Sequence, residues 1–400
     1  MLKGKKILLG VTGGIAAYKS AELTRGLIKR GAEVKVIMTK NAAEFITPLT
    51  LQTLSGNPVY MDMFSLLEWS EIGHISLAEY PDLILIAPAT ANVIGKVASG
   101  LADDLLTTTI MASKAPVLFC PAMNANMYEN RIVQDNMKKL TSLGYLFMQP
   151  DTGQLACKIE GQGRLPDPDQ ILEMAEYVLT EKDLAEETIL ITAVPTREPF
   201  DPVRFISNYS SGKMGYALAR AAHMRGANVT LISGPTSLEP PCGVNLIHVS
   251  SAIEMRKAVL DYLESAGIVI KAAAVADYRP ASKAESKIKK RDGNLQIELE
   301  RNPDIIAEIG KNKGDRILIG FAMETDDLIS NAKKKLMEKN MDLIVANDLN
   351  TAGAGFQGDT NCVKLIGRDG AIEDVPLMEK IEVANRILNR IKMIRSERIS

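Results

Sequence analysis

Three kinds of side chain in this sequence stand where they could do chemistry: a thiol, an imidazole and a series of ammonium groups. Cys157 lies in Leu155-Ala156-Cys157-Lys158, with Gly161-Gln162-Gly163-Arg164 close behind. That polar, glycine-flanked stretch gives a cysteine little to pack against, so its thiol suits a functional role better than core filling. Cys120, inside an apolar run, reads as core. His74, in Ile72-Gly73-His74-Ile75-Ser76, is one of three histidines, and imidazole is the side chain that exchanges protons near neutral pH. The basic run Lys283-Ala284-Glu285-Ser286-Lys287-Ile288-Lys289-Lys290-Arg291 would ordinarily be a solvated charge patch. Lys335 and Lys339 stand four apart, which on a helix puts them on one face.

Small and amide-bearing residues gather where strands should end. Residues 5–11 read as a buried strand, Thr12-Gly13-Gly14 as a tight turn, 15–30 as an amphipathic helix stopped by Gly31, and 33–39 as a second strand. The small residues of that turn suit close approach of a phosphate to backbone N–H groups. Pro88-Ala89-Thr90-Ala91-Asn92 follows an apolar strand over 83–87, leaving room for a flat ring to which Thr90 and Asn92 could hydrogen-bond. Phe119-Cys120-Pro121-Ala122-Met123-Asn124-Ala125-Asn126-Met127-Tyr128 again runs from strand into polar loop.

The β–turn–α–β pattern restarts downstream, with a strand over 188–194, a helix opened by Ser210-Ser211-Gly212-Lys213 and running to about Arg225, and a strand over 228–233. The fold class expected is therefore α/β, two tandem Rossmann-like domains with mostly parallel sheets, over 1–182 and 187–400. In the second half Asn208, the hydroxyls of Ser210 and Ser211, Gly212 and Lys213 have the chemistry of an anion cradle, although the GxxxxGK[ST] spacing of a Walker loop is absent. Asp277, after a strand over 268–275, could hold Mg²⁺ beside a phosphate. Arg301-Asn302-Pro303-Asp304-Ile305 caps a helix, and Gly320-Phe321-Ala322-Met323-Glu324-Thr325 follows a strand.

The 400 residues carry 46% apolar and 24% charged side chains and a net charge of −2, the profile of a globular protein without the basic excess that nucleic acid demands. Four scattered cysteines form no CxxC pair, which argues against disulfides and structural zinc. No apolar segment approaches the ~18 residues of a membrane span, and the apolar run after the basic start is too short for a targeting signal. A cytoplasmic location is expected.

With these residues in place a resemblance emerges. Pro121-Ala122-Met123-Asn124-Ala125-Asn126-Met127 resembles the PxMNxxM signature of flavin-containing cysteine decarboxylases, with Tyr128 where the signature usually ends in Trp. Thr12-Gly13-Gly14-Ile15-Ala16-Ala17-Tyr18-Lys19 resembles their flavin-phosphate turn, and the Cys157 segment their substrate flap. The resemblance implies a flavin-binding cysteine-decarboxylase fold in the first half. It implies FMN held by Gly13, Gly14, Ile15, Thr39, Pro88, Ala89, Thr90, Asn92 and Met123. A cysteine carboxyamide would be oxidised at its thiol, lose CO2 and be reduced again. Cys157 would protonate the ene-thiol, Asn124 would hold the carboxylate and His74 would serve as the acid–base residue.

The second half resembles phosphopantothenate–cysteine ligase, most specifically in Val203-Arg204-Phe205-Ile206-Ser207-Asn208 and Lys287-Ile288-Lys289-Lys290. That implies a 4′-phosphopantothenate carboxylate attacking the α-phosphate of CTP, with Mg²⁺ or Mn²⁺, and cysteine then displacing the nucleotide from an acyl cytidylate. Asn208 would hold the acyl cytidylate and Lys287 would offset charge. Ala273, Asp277, Asn302, Pro303, Asp304, Ile305, Phe321, Lys335 and Lys339 would line the nucleotide site, with Asp277 the metal ligand. Relatives of the two halves form trimers and dimers respectively, so a homo-oligomer is expected. Relatives also commonly carry glycine where this chain has Val194, so a positive φ there would strain the backbone. Two other readings are a two-domain flavin- or nicotinamide-linked oxidoreductase and a non-enzymatic regulatory flavoprotein. The first leaves Cys157, Asn124 and the lysine run idle, and the second needs neither the flap thiol nor the ligase half.

Overall fold

Apolar runs broken by glycine-rich turns become the strands of two parallel sheets. The computed structural model describes residues 2–64, 73–154, 160–289, 295–324, 327–348 and 358–399. The chain divides into two compact units, Met1–Thr180 and Glu181–Ser400. Cys157 lies outside the described residues, as do Trp69, Lys290, Arg291 and Thr325.

The first unit runs β1 (Lys6–Val11), α1 (Ser20–Lys29), β2 (Glu33–Met38), α2 (Pro48–Ser55), β3 (Val59–Tyr60), α3 (Gly73–Glu79), β4 (Leu83–Ala89), α4 (Ala91–Ala98), α5 (Leu105–Ala112) and β5 (Val117–Pro121). It continues through α6 (Ala125–Glu129), α7 (Arg131–Ser142), β6 (Leu146–Phe147), the antiparallel pair β7 (Asp151–Gln154) and β8 (Glu160–Arg164), and α8 (Pro168–Leu179). Six strands pair in parallel in the order β3-β2-β1-β4-β5-β6, so the order reverses between β1 and β4. Every residue of β4 is buried, as expected for a strand covered on both faces. One face packs on α1 and α8 through Leu23, Leu27, Ile171 and Leu172, the other on α4 and α5 through Val93, Ile94, Leu105 and Leu106. The helix expected over 15–30 begins as a 3-10 segment, Ile15–Lys19, because Gly14 offers no side-chain cap and the tighter turn takes up the first free N–H groups.

The second unit repeats the plan with β9 (Thr188–Ala193), β10 (Arg197–Pro199), β11 (Phe205–Ser207), α9 (Lys213–Met224), β12 (Asn228–Ser233), β13 (Asn245–His248), α10 (Ala252–Leu263) and β14 (Ile268–Lys271). Then follow β15 (Tyr278–Pro280), β16 (Leu299–Arg301), α11 (Ile305–Lys311), β17 (Ile317–Glu324), α12 (Leu328–Glu338), β18 (Leu343–Asp348), β19 (Thr360–Gly367), β20 (Ile372–Glu379) and α13 (Lys380–Ile399). Its sheet order is β13-β12-β9-β14-β17-β18-β19-β20, parallel as far as β18 and antiparallel beyond, with the reversal between β9 and β14. Alternation along the strands sends Ile189, Ile191, Ile268 and Ile270 toward α9 and α13, and Leu190, Val269 and Leu318 toward α10, α11 and α12.

Three sequence expectations change. The strand expected over 268–275 stops at Lys271: Ala272 N–H makes the last ladder bond, to Thr192 O, and beyond it Ala273 and Ala276 donate to the side-chain hydroxyls Thr192 Oγ1 and Thr196 Oγ1 instead. Residues 320–324 do not follow a strand but complete β17, since β18 keeps pairing with it as far as Glu324. Lys339 stands one residue beyond α12, yet its N–H still bonds Lys335 O at 3.0 Å, so the shared face survives.

Val194 has φ of 71° and is buried. A Cβ on Gly212, itself at φ +78°, would come within 2.3 Å of Val194 Cγ2, so the two positions are interlocked. The left-handed backbone costs a β-branched residue ~1–2 kcal/mol, set against the ~1.5–3 kcal/mol that burying a valine contributes. Val194→Gly should therefore lose about 2 kcal/mol less stability than Val229→Gly, which removes an equally buried valine from the extended strand β12, where glycine adds its own backbone penalty. Urea titration of the two variants checks this.

Asp183 offers a second test. Arg225 Nε and Nη2 reach its carboxylate at 2.8 and 2.7 Å, and Lys392 Nζ at 2.9 Å, clasping the segment before β9 to α9 and α13. These hydrogen bonds, Arg225's foremost, hold the Asp183 carboxyl down at about 2 against the opposing effect of burial. Its folded pKa is below the unfolded value near ~3.9, so its stabilisation is complete above that value and drains away as pH falls toward the folded pKa. Asp183→Asn should flatten the acid limb of the stability profile by of order 2 kcal/mol; an unchanged limb in pH-dependent urea titrations would contradict this.

Candidate functional sites

In each unit the strand order reverses at one point, and there the chain ends of two neighbouring strands part to leave a crevice. In the first unit these are the ends of β1 and β4. Thr12, fully buried, donates from Oγ1 to Pro88 O at 2.7 Å and accepts the Thr90 N–H at 3.1 Å. Ala122 N–H donates to Ala89 O at 3.1 Å, joining the end of β5 to that of β4, and Met123 N–H reaches Gly163 O at 2.9 Å on β8. Backbone and hydroxyl hydrogen bonds thus sew the turn after β1, the loop after β4, the loop after β5 and the β7–β8 pair into one frame.

Inside the frame is a cavity of about 1150 Å³, ample for a ligand of several rings. It is lined by Gly13, Gly14, Ile15, Thr39, Thr90, Asn92, Met123 and Asn124 among others, so eight sequence-selected residues converge. Pro88 and Ala89 lie behind the wall, where their carbonyls hold the frame. A Cβ on Gly13 would sit 2.3 Å from Asn41 Cβ, so only glycine lets the turn close against the residues after β2. Asn124 caps α6, its Oδ1 accepting the Asn126 N–H at 2.9 Å. His74 is half-buried on α3 and is not part of the lining. Cys120 is fully buried among core side chains, and burial pushes its thiol far up, out of the reactive range.

One polar atom in the wall is unsatisfied. Thr39 Oγ1 is sealed from solvent and lacks a hydrogen-bond partner, a costly state that a ligand bearing an acceptor or donor would relieve. Lys19, Lys40 and Arg164 also reach the cavity and escaped selection from sequence. Lys19 and Arg164 stand in the glycine turn and the flap segment, where the glycines are the stronger sequence signal. The charged lining suits a phosphorylated ligand.

In the second unit the crevice lies between the ends of β9 and β14. Asn208 Nδ2 donates to Ala274 O at 3.0 Å, holding the exposed Asn208 over the chain that leaves β14. Asn302 is committed on every side: its N–H to Asp277 O and Nδ2 to Ala276 O, both at 2.8 Å, while Oδ1 accepts from Arg279 at 2.9 Å. It fixes the loop that carries Asp277. Asp304 caps α11 and takes an ion pair from Lys339 at 2.8 Å. Burial works against its charge, but the bonds from Lys339 and the Ala307 N–H prevail and keep the carboxyl below its ordinary value. Ile305 is buried, which leaves only its backbone for a ligand. Phe321 packs toward α9 and α13, the sheet face opposite the one that meets α11 and α12. Ala273 is half-buried, and Lys335 and Asp277 are exposed, as is Pro303 in part.

Lys287 is exposed, and its segment is anchored from below. Asp201, buried, accepts the N–H groups of Val203 and Arg204 at 2.8 Å, a fork from Arg204 at 2.6 and 3.0 Å, and the Ile288 N–H at 3.3 Å. Arg204 returns to Ile288 O at 3.0 Å. Arg204's bonds hold the Asp201 carboxyl well below the usual range. One carboxylate therefore ties the β10–β11 hairpin to the lysine run, which sequence spacing alone did not show.

Comparison with known proteins covers both units. The family described as Flavoprotein matches residues 1–179, and the DNA/pantothenate metabolism flavoprotein C-terminal domain matches residues 184–394. A Bacillus subtilis (strain 168) protein, the coenzyme A biosynthesis bifunctional protein CoaBC, is 50% identical over 400 residues, covering 98% of this chain and 97% of its own. Its counterpart in Vibrio cholerae serotype O1 is 49% identical over 393 residues, with 98% of each chain covered. A crystal structure of the C-terminal domain of a CoaBC protein is 44% identical over 55% of this chain and the whole of that one, with a TM-score of 0.47. No described helix is long and apolar enough to cross a membrane. With identity near one half sustained through both units, the chain belongs to the family of coenzyme A biosynthesis bifunctional proteins, CoaBC.

Proposed function

We propose that the second unit joins 4′-phosphopantothenate to cysteine with CTP, and that the first decarboxylates the product to 4′-phosphopantetheine using FMN. The observation that carries this reading is family membership across the full chain, joined to a frame of strand ends that leaves Thr39 Oγ1 unsatisfied inside a cavity.

The first-unit cavity fits FMN through the Gly13–Ile15 turn for a phosphate, the small residues Ala91 and Ala122 beside a ring, and the orphaned Thr39 hydroxyl. When bound there, FMN would supply reversible two-electron exchange with the substrate thiol, with no net redox change over the reaction. The chain's own residues do the rest. Asn124, whose Oδ1 accepts the Asn126 N–H and which lines the cavity, holds the substrate carboxylate through its amide. Arg164 and Lys19 supply charge for the substrate phosphate. Cys157 falls in the chain between β7 and β8, whose residues Gly163 and Arg164 form part of the wall, and it delivers the proton to the ene-thiol. His74 lies off the wall of its own cavity, so its acid–base role requires a second copy to bring it there. That ties the role to a homo-oligomer, trimeric in its flavin units and dimeric in its ligase units.

In the ligase reaction a carboxylate oxygen attacks the α-phosphorus and pyrophosphate leaves. The cysteine nitrogen then attacks the acyl carbon, CMP leaves and one proton is released. Both partners of the first step are anions, so Lys287, Lys335 and Lys339 serve to lower their repulsion. Asn208 holds the acyl cytidylate. The described residues include no cluster of three His, Cys, Asp or Glu for a metal ion. Asp277 would hold Mg²⁺ (or Mn²⁺), which would offset negative charge on the triphosphate.

Incubation with 4′-phosphopantothenate, cysteine, Mg²⁺ and either CTP or ATP, following pyrophosphate and CO2 separately, tests the scheme. Pyrophosphate with CTP and CO2 from the product are expected; release of neither ends the reading. Cys157→Ser should keep its yellow colour while CO2 release falls roughly 100-fold or more. Lys287→Ala should cut pyrophosphate release roughly 100-fold and leave decarboxylation of supplied phosphopantothenoylcysteine unchanged.

A further inference from the structure

Lys271 is a cation in an unusual place, at the last position of the apolar strand β14, directly on the crevice between β9 and β14. Its register partners are Thr192 and Gly320, so it is flanked by strands on both sides. Strand alternation puts it on the face of Val269, which packs with Ile305, Leu336 and Met341. Its side chain is therefore aimed at the layer of α11 and α12, at the edge where the strands end.

The charges it meets there come from three elements: Asp304 at the start of α11, Lys339 at the end of α12 and Asp277 on the loop after β14. None of them satisfies it. Asp304 is taken by Lys339 at 2.8 Å and by the α11 cap. No hydrogen bond or ion pair joins the Lys271 ammonium to any described residue. It is not wholly sealed, because Thr39 Oγ1 is the one described side-chain nitrogen or oxygen that is both sealed and unpartnered. Removal from water pushes its pKa down to about 8, with Lys339 adding to that and Asp304 and Asp277 opposing it. A partly desolvated ammonium with three unused donors is a cost to the empty protein. Such a group gains most from a ligand carrying several anionic oxygens.

We propose that Lys271 contacts the phosphate chain of the nucleoside triphosphate directly, making a lysine pair with Lys339 across Asp304. The assignment rests on the reading of the second unit as a nucleotide-dependent ligase, and adds to it a residue that the motifs did not supply. Lys339 has Asp304 as its carboxylate partner, while Lys271 has none among the described residues, and the triphosphate completes its hydrogen bonds.

The test uses the full-length, flavin-loaded protein with Mg²⁺ and CTP, by calorimetric titration and thermal unfolding. Lys271→Met should weaken CTP binding roughly 10- to 100-fold, the loss for one charge-assisted hydrogen bond. The same variant should raise, not lower, the unfolding temperature of the nucleotide-free ligase unit, because it removes a desolvated charge while keeping the packing of the stem. Lys271→Arg should bind CTP within about threefold of the parent. A lysine that merely supports the fold would lower affinity and unfolding temperature together, and that pattern overturns the proposal. So does unchanged CTP affinity in Lys271→Met. If the parent protein binds neither CTP nor ATP, the ligase reading itself falls, and this assignment with it.

Discussion

A buried threonine hydroxyl at the end of the first strand is the interaction on which each unit is organised. Where parallel strands part at a reversal of sheet order, their last N–H and C=O groups lose ladder partners, and burying them unpaired is expensive. In the first unit Thr12 bridges this gap, donating to Pro88 O and accepting from the Thr90 N–H. In the second the work is divided: Thr192 accepts the Ala273 N–H and Thr196 the Ala276 N–H. A hydroxyl can do this because it offers a donor and acceptors in one small group. The crevices stay open because side chains, and not further strand pairing, satisfy the backbone.

The two crevices then diverge in how they treat charge. The first is a walled cavity in which glycine, alanine and threonine leave space and a few cations face inward. The second is built from ion pairs with unequal commitments. Asp201 gathers five donors and anchors the lysine run from beneath, while Asp304 spends its charge on Lys339. What is left over, on Lys271 and Lys287, is positive charge without a strong partner among the described residues. On the proposed reading that charge lowers the repulsion between two anionic reactants.

Val194 shows how a local rule yields to packing. Its backbone takes a left-handed conformation that disfavours β-branched residues, yet the side chain is buried against Gly212, whose missing Cβ makes the room. Burial and strain are of similar size, so valine is tolerated where glycine would be conformationally easier.

The sequence alone determined the class of fold, the two openings and part of the cavity wall in the first unit. Glycine turns after apolar runs dictate strand ends, and strand ends are where parallel sheets bind ligands; Gly13, Thr39, Thr90, Asn92 and Asn124 all converge as that logic requires. The strained backbone at Val194 was legible only through the resemblance, in which relatives carry glycine at that turn. What the sequence left undecided depends on contacts between distant segments. Only tertiary structure shows that Asp201 secures Ile288 across 87 residues, that Asn302 is consumed in holding the Asp277 loop, and that His74 misses the cavity of its own chain. Lys271 belongs to the same group. A lysine closing an apolar run is visible in the sequence, but its charge has meaning only once the fold sets Asp304, Lys339 and Asp277 around it and leaves its ammonium unpaired.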